Sequence, residues 1–296
     1  MNKRKEQVHA WVHGNIGCIV FDTPPANIVT RVTFEHISSV LDYFEHDYTV
    51  KAVAFIGSDK NFCGGASLKW MQSLQHSPEV GNETIDYFYE IALKIREFPK
   101  PTIAAIENGV CYGVGFELAM LCDYIVAFEK NSSTIEFGAL AVRYGFMLGL
   151  GVSWRLARKI GVPNAARFLV KSETTDLPTA YKLGIVDALL MGENFTKEVC
   201  RFVHEMLKGN LPETFTSPFA PKAIQMEHKE RLALAAGCSM HAVARTLEAL
   251  EACASVENFS EVLVVDKSYF KTLFFSRDAV EGIDAFLERR KPKFSE

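Results

Sequence analysis

Apolar runs of strand length, each followed by a loop and a helical pattern, constrain the fold of this chain most. Residues 52–56 end at Gly57, residues 101–106 lead to Gly109, and residues 124–128 follow a helical pattern. Runs that are apolar throughout indicate strands buried on both faces. Repeated strand, loop and helix units predict parallel strands with crossover helices, which is an α/β fold.

The two ends of the chain differ from this repeating part. Residues 8–22 predict a hairpin of two strands around Gly14 and Gly17, and residues 32–44 have helical spacing. Beyond about residue 195 strand patterns stop and four helical segments follow: 199–207, 220–236, 241–254 and 280–290. We predict an α/β core over residues 1–210 and a helical portion over 211–296, with the proline-containing segment 211–221 as hinge.

Charge and cysteine content exclude several classes of partner. Lysine plus arginine number 32 against 36 acidic residues, a net charge of −4, which predicts no nucleic-acid and no membrane partner. Seven cysteines without a CxxC pair indicate reduced thiols and a cytoplasmic protein, and no signal peptide or membrane span is expected. His9 and His13 lack companion ligands, so no metal site is predicted.

Two glycine-rich loops, 61–69 and 108–117, leave the carboxyl ends of predicted parallel strands. This edge of an α/β sheet is where ligands bind, and small residues let a ligand approach backbone N–H groups at a helix start. The alternative is that the glycines only form tight turns. A dinucleotide site is disfavoured because Leu118 stands where the third glycine is needed. No GxSxG turn is present, so Ser67 is interpreted as a loop residue.

These loops carry a family resemblance. The segments FCGGASLK (62–69) and KPTIAAIENGVCYGVGFELAMLCD (100–123) resemble the signature of the enoyl-CoA hydratase/isomerase (crotonase) family. The resemblance implies a crotonase-like spiral of ββα units, with a helical C-terminal portion that forms homotrimers or homohexamers. It also implies an acyl-CoA or acyl-carrier-protein thioester as substrate, with coenzyme A as part of the substrate and no prosthetic group.

By the same resemblance, the backbone N–H groups of Ala66 and Val114 form the oxyanion hole for the thioester carbonyl. Two fixed donors in a dry site stabilise the oxygen of an enolate. Glu117 matches a catalytic glutamate, one helical turn past Val114, and is predicted to transfer protons. The alternative is that Glu117 only stabilises a helix N-terminus. A lone carboxylate in an apolar stretch is costly unless it is used or paired, which favours the catalytic role.

The resemblance also implies residues for coenzyme A. Lys69 and Arg289 match cations near its phosphates and adenine, and Phe286 matches an apolar contact from a neighbouring subunit. Without the resemblance, Arg289 belongs to a solvated cationic helix end.

One position departs from the hydratases of the family: Ala141 stands where they carry a second glutamate. Losing that acid should weaken simple hydration unless another group substitutes. We expect an enoyl-CoA hydratase/dehydratase or isomerase. The alternatives are a decarboxylase or C–C hydrolase on the same scaffold, or a non-catalytic thioester-binding protein. Groups considered as substitutes or auxiliaries are Glu136, Arg143, Tyr144, Tyr87, Tyr89, Glu90 and Lys94.

Overall fold

The computed structural model describes residues 8–58, 60–210 and 237–295. The predicted hinge 211–221 and the predicted helix 220–236 lie outside these residues, and the predicted boundary after residue 210 stays a prediction. The described residues form two compact units. The first unit contains the described residues up to Gly65, then Lys94–Phe137, and then Thr175 to residue 210. The second unit contains Ala66–Leu93, Gly138–Thr174 and the described residues from 237 onwards.

The first unit is built on a six-stranded sheet. Its strands in sequence are β1 (Val8–His13), β2 (Ile16–Phe21), β3 (Ala52–Gly57), β4 (Thr102–Ile106), β6 (Tyr124–Phe128) and β9 (Ala188–Leu190). They stand side by side in that order, with β1 and β2 antiparallel and every later pair parallel. The predicted hairpin and the predicted parallel strands are therefore confirmed.

Strands β2, β3, β4 and β6 are buried along most of their length, whereas β1 is largely exposed, and this burial explains the uninterrupted apolar strands. Alternate residues of β2, β3, β4 and β6 pack in one cluster with α8 (Phe195–Leu207). Helix α1 (Arg31–His46) also packs on the sheet, and its buried side chains Phe34, Ile37, Leu41 and Phe44 recur at helical spacing. Gly17 makes this approach possible, because a Cβ there would lie 2.7 Å from the Phe44 ring.

Shorter elements follow the loops at the sheet edge. They are β5 (Val110–Tyr112), α4 (Val114–Leu121), β7 (Glu136–Gly138), β8 (Thr174–Asp176) and α7 (Leu177–Leu183), and β5, β7 and β8 form a second sheet in that order. A 3-10 turn occupies Glu129–Asn131, and another occupies Ala141–Tyr144.

Helices make up most of the second unit. They are α2 (Leu68–Gln75), most of α3 (Pro78–Arg96), α5 (Val152–Ile160), α6 (Val162–Lys171), α9 (Met240–Ala254), α10 (Phe259–Phe274) and α11 (Arg277–Leu287). Helix α9 packs against α5, α6 and α10, while α11 packs against α2 and the Ala141–Tyr144 turn. The helical C-terminal portion is confirmed for its described residues. Helix α10 is an additional helix that the spacing of apolar residues did not predict.

Asp123 fixes the entry into β6. Its Oδ2 accepts hydrogen bonds from Thr102 N (2.9 Å) and Thr102 Oγ1 (3.1 Å), and its Oδ1 accepts one from Arg96 (2.8 Å). We expect Asp123→Ala to lower the free energy of unfolding by about 2 kcal/mol, because hydrogen bonds to a partly buried charge are lost. Urea denaturation measures this. Glu35→Ala, which removes an exposed ion pair with Arg31, is the control and should cost about 0.5 kcal/mol or less. Equal losses in the two variants would contradict this role.

Candidate active site

The two glycine-rich loops are joined by backbone hydrogen bonds within the first unit. Cys63 N donates to Val110 O (3.0 Å), and Tyr112 N donates to Cys63 O (2.9 Å). Cys63 and Cys111 therefore pair as a parallel bridge, so that the first loop continues the pairing of β5. The sequence predicted two loops at one sheet edge, and the structure brings them into direct contact.

Glycine is required where α4 meets the first loop. A Cβ on Gly115 would lie 2.3 Å from Cys63 O, which is far inside contact distance. A Cβ on Gly65 would lie 3.8 Å from Val114 N, and Gly65 itself has a φ of +106°, which disfavours other residues. The first turn of α4 therefore packs directly against the backbone of residues 63–65, and Ala66 is the next residue in the chain.

Val114 is the first residue of α4, and Gly113, with φ 51° and ψ −123°, turns the chain into the helix. A helix leaves the N–H groups of its first turn without an intrahelical acceptor, and Val114 belongs to that turn. Donors at a helix start favour negative charge, which is what an enolate oxygen carries. The valine side chain does not prevent this role, since the main chain supplies the donor.

Glu117 lies in the first turn of α4 and is buried, with 5% of its surface exposed. Its N–H donates to Gly113 O (2.9 Å), so its position follows from that of the glycine turn. Its neighbour Cys63 is fully buried, and burial together with the charge of Glu117 raises the pKa of that thiol to about 12. Cys63 therefore stays protonated near neutral pH.

Ala141 begins the 3-10 turn Ala141–Tyr144 and is buried. The turn ends at Gly145, where φ is +79° and a Cβ would lie 2.3 Å from the Asp278 backbone. Ala141 thus occupies a tightly packed turn and not a strand, and its methyl group supplies no acid.

The neighbouring candidates for a replacement acid have other surroundings. Glu136 accepts a short hydrogen bond from the Tyr112 hydroxyl. Tyr144 packs against the rings of Phe146 and Phe286, and burial raises its pKa. Arg143 is exposed. These surroundings do not single out any of the three as a second acid.

The residues predicted to bind coenzyme A lie on two helices of the second unit that pack together. Lys69 is exposed in α2, and Phe286, 54% exposed, lies at the end of α11, with Arg289 following that helix at a φ of 57°. Gln72 of α2 donates to Asp284 of α11 (2.6 Å), which joins the two helices close to these positions.

Arg289 differs from the adjacent Arg290. Arg290 donates to Glu281 at 2.6 and 2.8 Å and to Glu288 at 2.5 Å. This clamp lowers the pKa of Glu281 to about 2 and fixes the chain that follows α11. A structural role thus accounts for Arg290 and leaves Arg289 as the better match for a phosphate-binding cation.

Sequence reasoning missed a buried carboxyl group, Asp266 of α10. Its Oδ2 accepts hydrogen bonds from the Tyr89 hydroxyl (2.6 Å) and from Gly151 N (3.1 Å). No described residue donates to Oδ1, and burial raises the pKa of Asp266 to about 6. The signal was a lone aspartate after the apolar residues 262–265, the same pattern that drew attention to Glu117.

Within the described residues, no group of three or more His, Cys, Asp or Glu side chains is arranged to hold a metal ion. Likewise, no helix in the described part of the chain has the length and apolarity to cross a membrane. The cysteines are unpaired thiols, and all but Cys200 are buried.

Comparison with known proteins gives consistent matches. The model of the enoyl-CoA hydratase/isomerase family matches residues 12–217. The chain is 29% identical over 284 residues to a probable enoyl-CoA hydratase of Rhizobium meliloti (strain 1021), covering 95% of both proteins. It is 30% identical over 283 residues to one of Bacillus subtilis (strain 168), covering 94% of this chain and 95% of the relative.

A solved structure agrees on the fold. A carnitinyl-CoA dehydratase from Mycobacterium thermoresistibile superposes with a TM-score of 0.80 at 19% identity, covering 98% of this chain and 92% of that one. The fold is therefore the crotonase fold, and the matches to the family model and to the two relatives show that the protein is an enzyme of the lyase and isomerase kind. The chain belongs to the enoyl-CoA hydratase/isomerase family, for which the implied substrate class is an acyl-CoA. The roles given to Ala66, Val114, Glu117, Lys69, Phe286 and Arg289 stay predictions.

The raised pKa of Asp266 predicts a pH-dependent stability. An unfolded aspartate titrates near pH 4, so between about pH 4 and pH 6 the folded protein holds this proton more tightly than the unfolded chain does. The stabilisation is fully present below about pH 4 and is lost as the pH rises through about 6.

We therefore expect the free energy of unfolding of the wild type, minus that of Asp266→Asn, to fall by about 3 kcal/mol between pH 4 and pH 7. Urea denaturation of both proteins at each pH measures this difference in the free energy of unfolding. The contributions of the other carboxyl groups cancel in the difference. A difference that does not change with pH would show that Asp266 titrates normally.

Proposed function

We propose that this enzyme acts on an acyl thioester through an enolate whose oxygen is bound by the N–H groups of Ala66 and Val114, with Glu117 transferring the proton at C2. The observation that carries the proposal is the buried Glu117, placed one helical turn after the N–H of Val114 on a helix held against the first glycine loop. Enolate chemistry requires a proton acceptor and an oxyanion donor in a fixed relation, and the proposal assigns both to one short helix.

The reaction that we favour is hydration of an enoyl thioester, its reverse dehydration, or shift of the double bond. In each case the developing negative charge lies on the thioester oxygen, and a proton is added or removed at C2. Relatives named as enoyl-CoA hydratases over nearly the full length of the chain support this choice.

For the carrier, we propose that Lys69 and Arg289 bind the phosphates and adenine of coenzyme A and that Phe286 makes an apolar contact with the coenzyme A of a neighbouring subunit. Both cations are exposed, and their two helices are joined by the Gln72–Asp284 hydrogen bond. Exposed cations on helices that are hydrogen bonded to each other suit the binding of a flexible polyanion such as coenzyme A. An acyl carrier protein would present the same phosphopantetheine arm. We also propose a homotrimer or homohexamer, on the family resemblance. The cysteine content supports a cytoplasmic location as part of the proposal.

A decarboxylase or C–C hydrolase is the second candidate, and Ala141 is the observation that favours it. When a malonyl-type thioester loses CO₂, the enolate forms without a base, so one acid suffices to protonate C2. Decarboxylation therefore does not require the second family glutamate.

Glu117→Gln tests both candidates. We expect it to lower kcat by about 10²–10⁴-fold with little change in thioester affinity, because the amide keeps the shape but cannot transfer the proton. Purified protein is incubated with enoyl, 3-hydroxyacyl, β-keto and malonyl-type coenzyme A thioesters, and products are identified by mass spectrometry. The products decide between hydration and decarboxylation.

Glu107→Gln is the matched control, since Glu107 is a partly buried glutamate whose pKa is raised by burial, and it has no assigned role. It should leave turnover within about 2-fold of the wild type, well below the 10²-fold scale of a lost proton-transfer group. Wild-type turnover in Glu117→Gln would remove Glu117 from the mechanism. Binding without any conversion by the wild type would instead support a non-catalytic thioester-binding protein.

A further inference from the structure

The side chain of Asn61, in the first glycine loop, uses both ends of its amide group. Its Nδ2 donates to Pro25 O (2.8 Å), and its Oδ1 accepts a hydrogen bond from Val110 N (3.0 Å). Pro25 lies between β2 and α1, and Val110 is the first residue of β5. One side chain therefore joins the loop to two other segments of the first unit.

The Asn61 amide extends the backbone pairing between the first glycine loop and β5. Cys63 N donates to Val110 O (3.0 Å), and Tyr112 N donates to Cys63 O (2.9 Å). The bond from Val110 N to Asn61 Oδ1 continues this row, since it uses the other backbone group of Val110. An asparagine side chain carries an amide like that of the backbone, so it can take the place of a backbone group in such a pairing.

The backbone opposite Asn61 is shaped to admit this contact. Gly109, directly before Val110, has a φ of +63°, and a Cβ there would lie 2.4 Å from Asn61 Oδ1 and 1.9 Å from Lys60 O. Any side chain at this position would push the Asn61 amide away from Val110 N. Glycine is therefore required here both for the backbone conformation and for the close approach.

A buried asparagine fixes the backbone of Asn61. Asn27 is 2% exposed, and its Nδ2 donates to Asn61 O (2.7 Å) and to Ser58 O (3.0 Å). Its Oδ1 accepts a hydrogen bond from Thr23 N (3.0 Å). Because its carbonyl is held in this way, Asn61 presents its side-chain amide from a fixed point.

The residues that precede α1 also hold the first glycine loop further along. Gly64 N donates to Ala26 O (2.7 Å), and Val29 N donates to Gly65 O (2.9 Å). The loop thus runs between this segment on one side and β5 on the other. The Asn61 side chain bonds to both neighbours and so sets their spacing across the loop.

The start of α4 depends on where this loop lies. A Cβ on Gly115 would lie 2.3 Å from Cys63 O, so the first turn of α4 packs directly on the loop backbone. Val114 and Glu117 belong to that turn. A loop that shifts relative to β5 would change the surface on which the turn rests, and with it the direction of the Val114 N–H.

On the basis of the proposed function, we propose that Asn61 is a positioning residue for enolate formation. Its amide holds the first glycine loop in place against β5, and through that loop it fixes the turn that carries the Val114 N–H and Glu117. In this role Asn61 acts through the backbone and not on the ligand. Its loss therefore lowers the rate of proton transfer more than the affinity for the thioester, since fixed donors matter most in the transition state.

The first measurement is exchange of the C2 proton of butyryl-CoA into D₂O, which requires the enolate and no further step. We expect Asn61→Ala to lower kcat for exchange by about 10–100-fold, because a misplacement of about 1 Å costs up to about 10²-fold in rate. KM should stay within about 3-fold of the wild type, since the ligand contacts are unchanged.

Asn131→Ala is the matched control. Asn131 is also a half-buried asparagine of the first unit, and its Nδ2 donates to Glu107 O (3.0 Å), outside the first glycine loop. Its kcat should stay within about 2-fold of the wild type, well short of the cost of misplaced catalytic groups. Thermal melting shows that each variant is folded. Equal losses of kcat in the two variants would contradict a positioning role for Asn61.

Asn61→Asp separates positioning from a general loss of structure, and it decides the matter if Asn61→Ala does not fold. A carboxylate keeps the bond to Val110 N but repels Pro25 O, whereas a protonated carboxyl group donates to Pro25 O and so reproduces both bonds. We expect kcat of Asn61→Asp, divided by that of the wild type at the same pH, to rise at least about 5-fold from about pH 8 to about pH 5. The ratio for Asn61→Ala should stay constant, and a constant ratio for Asn61→Asp would contradict the proposal.

The carbonyl band of a bound ligand reports the position of the N–H donors. Crotonyl-CoA labelled with ¹³C at the thioester carbonyl is bound to Glu117→Gln and to the double variant Glu117→Gln/Asn61→Ala. We expect a smaller shift to lower frequency in the double variant, because misplaced donors polarise the C=O bond less. The same shift in both proteins would show that Asn61 does not position these donors.

Wild-type kcat in Asn61→Ala, together with slow exchange in Glu117→Gln, would overturn the role of Asn61 and leave the proposed function standing. A wild-type protein that neither exchanges the C2 proton nor converts any thioester would overturn the proposed function and, with it, the role of Asn61.

Discussion

The backbone pairing between Cys63 and strand β5 is the interaction on which the rest of the site depends. Two hydrogen bonds hold the first glycine loop to the second, and Gly115 lets the first turn of α4 pack against the Cys63 carbonyl. The position of the Val114 N–H and of Glu117 then follows from helix geometry. Fixed donors cost no reorganisation when charge develops on a substrate oxygen, which is why such a site is built from main chain.

Glu117 and Asp266 are two buried carboxyl groups in unlike surroundings. Glu117 lies in the first turn of α4, beside a thiol that stays protonated. Asp266 lies in apolar surroundings that raise its pKa to about 6. The proposed chemistry assigns proton transfer to Glu117, whereas the raised pKa of Asp266 predicts a pH-dependent stability.

The sequence predicted the parallel sheet, the glycine loops and Glu117 because strand burial and helix-start donors are local properties with local signals. It identified the family through segments 62–69 and 100–123, and the comparisons confirm that family. It did not predict Asp266, because the partners of that residue, Tyr89 and Gly151, are 177 and 115 positions away in the chain. Nor did it show that Ala141 opens a 3-10 turn, since tertiary packing of Gly145 against Asp278 decides that conformation.

The central claim, that backbone N–H groups polarise a thioester carbonyl beside Glu117, is tested most directly by infrared spectroscopy of a bound ligand. Crotonyl-CoA labelled with ¹³C at the thioester carbonyl is bound to Glu117→Gln, which slows turnover, and the labelled band is compared with that of the ligand in water. We predict a shift to lower frequency, because two donors to the oxygen weaken the C=O bond. A bound ligand whose carbonyl band stays at its aqueous frequency would contradict the account.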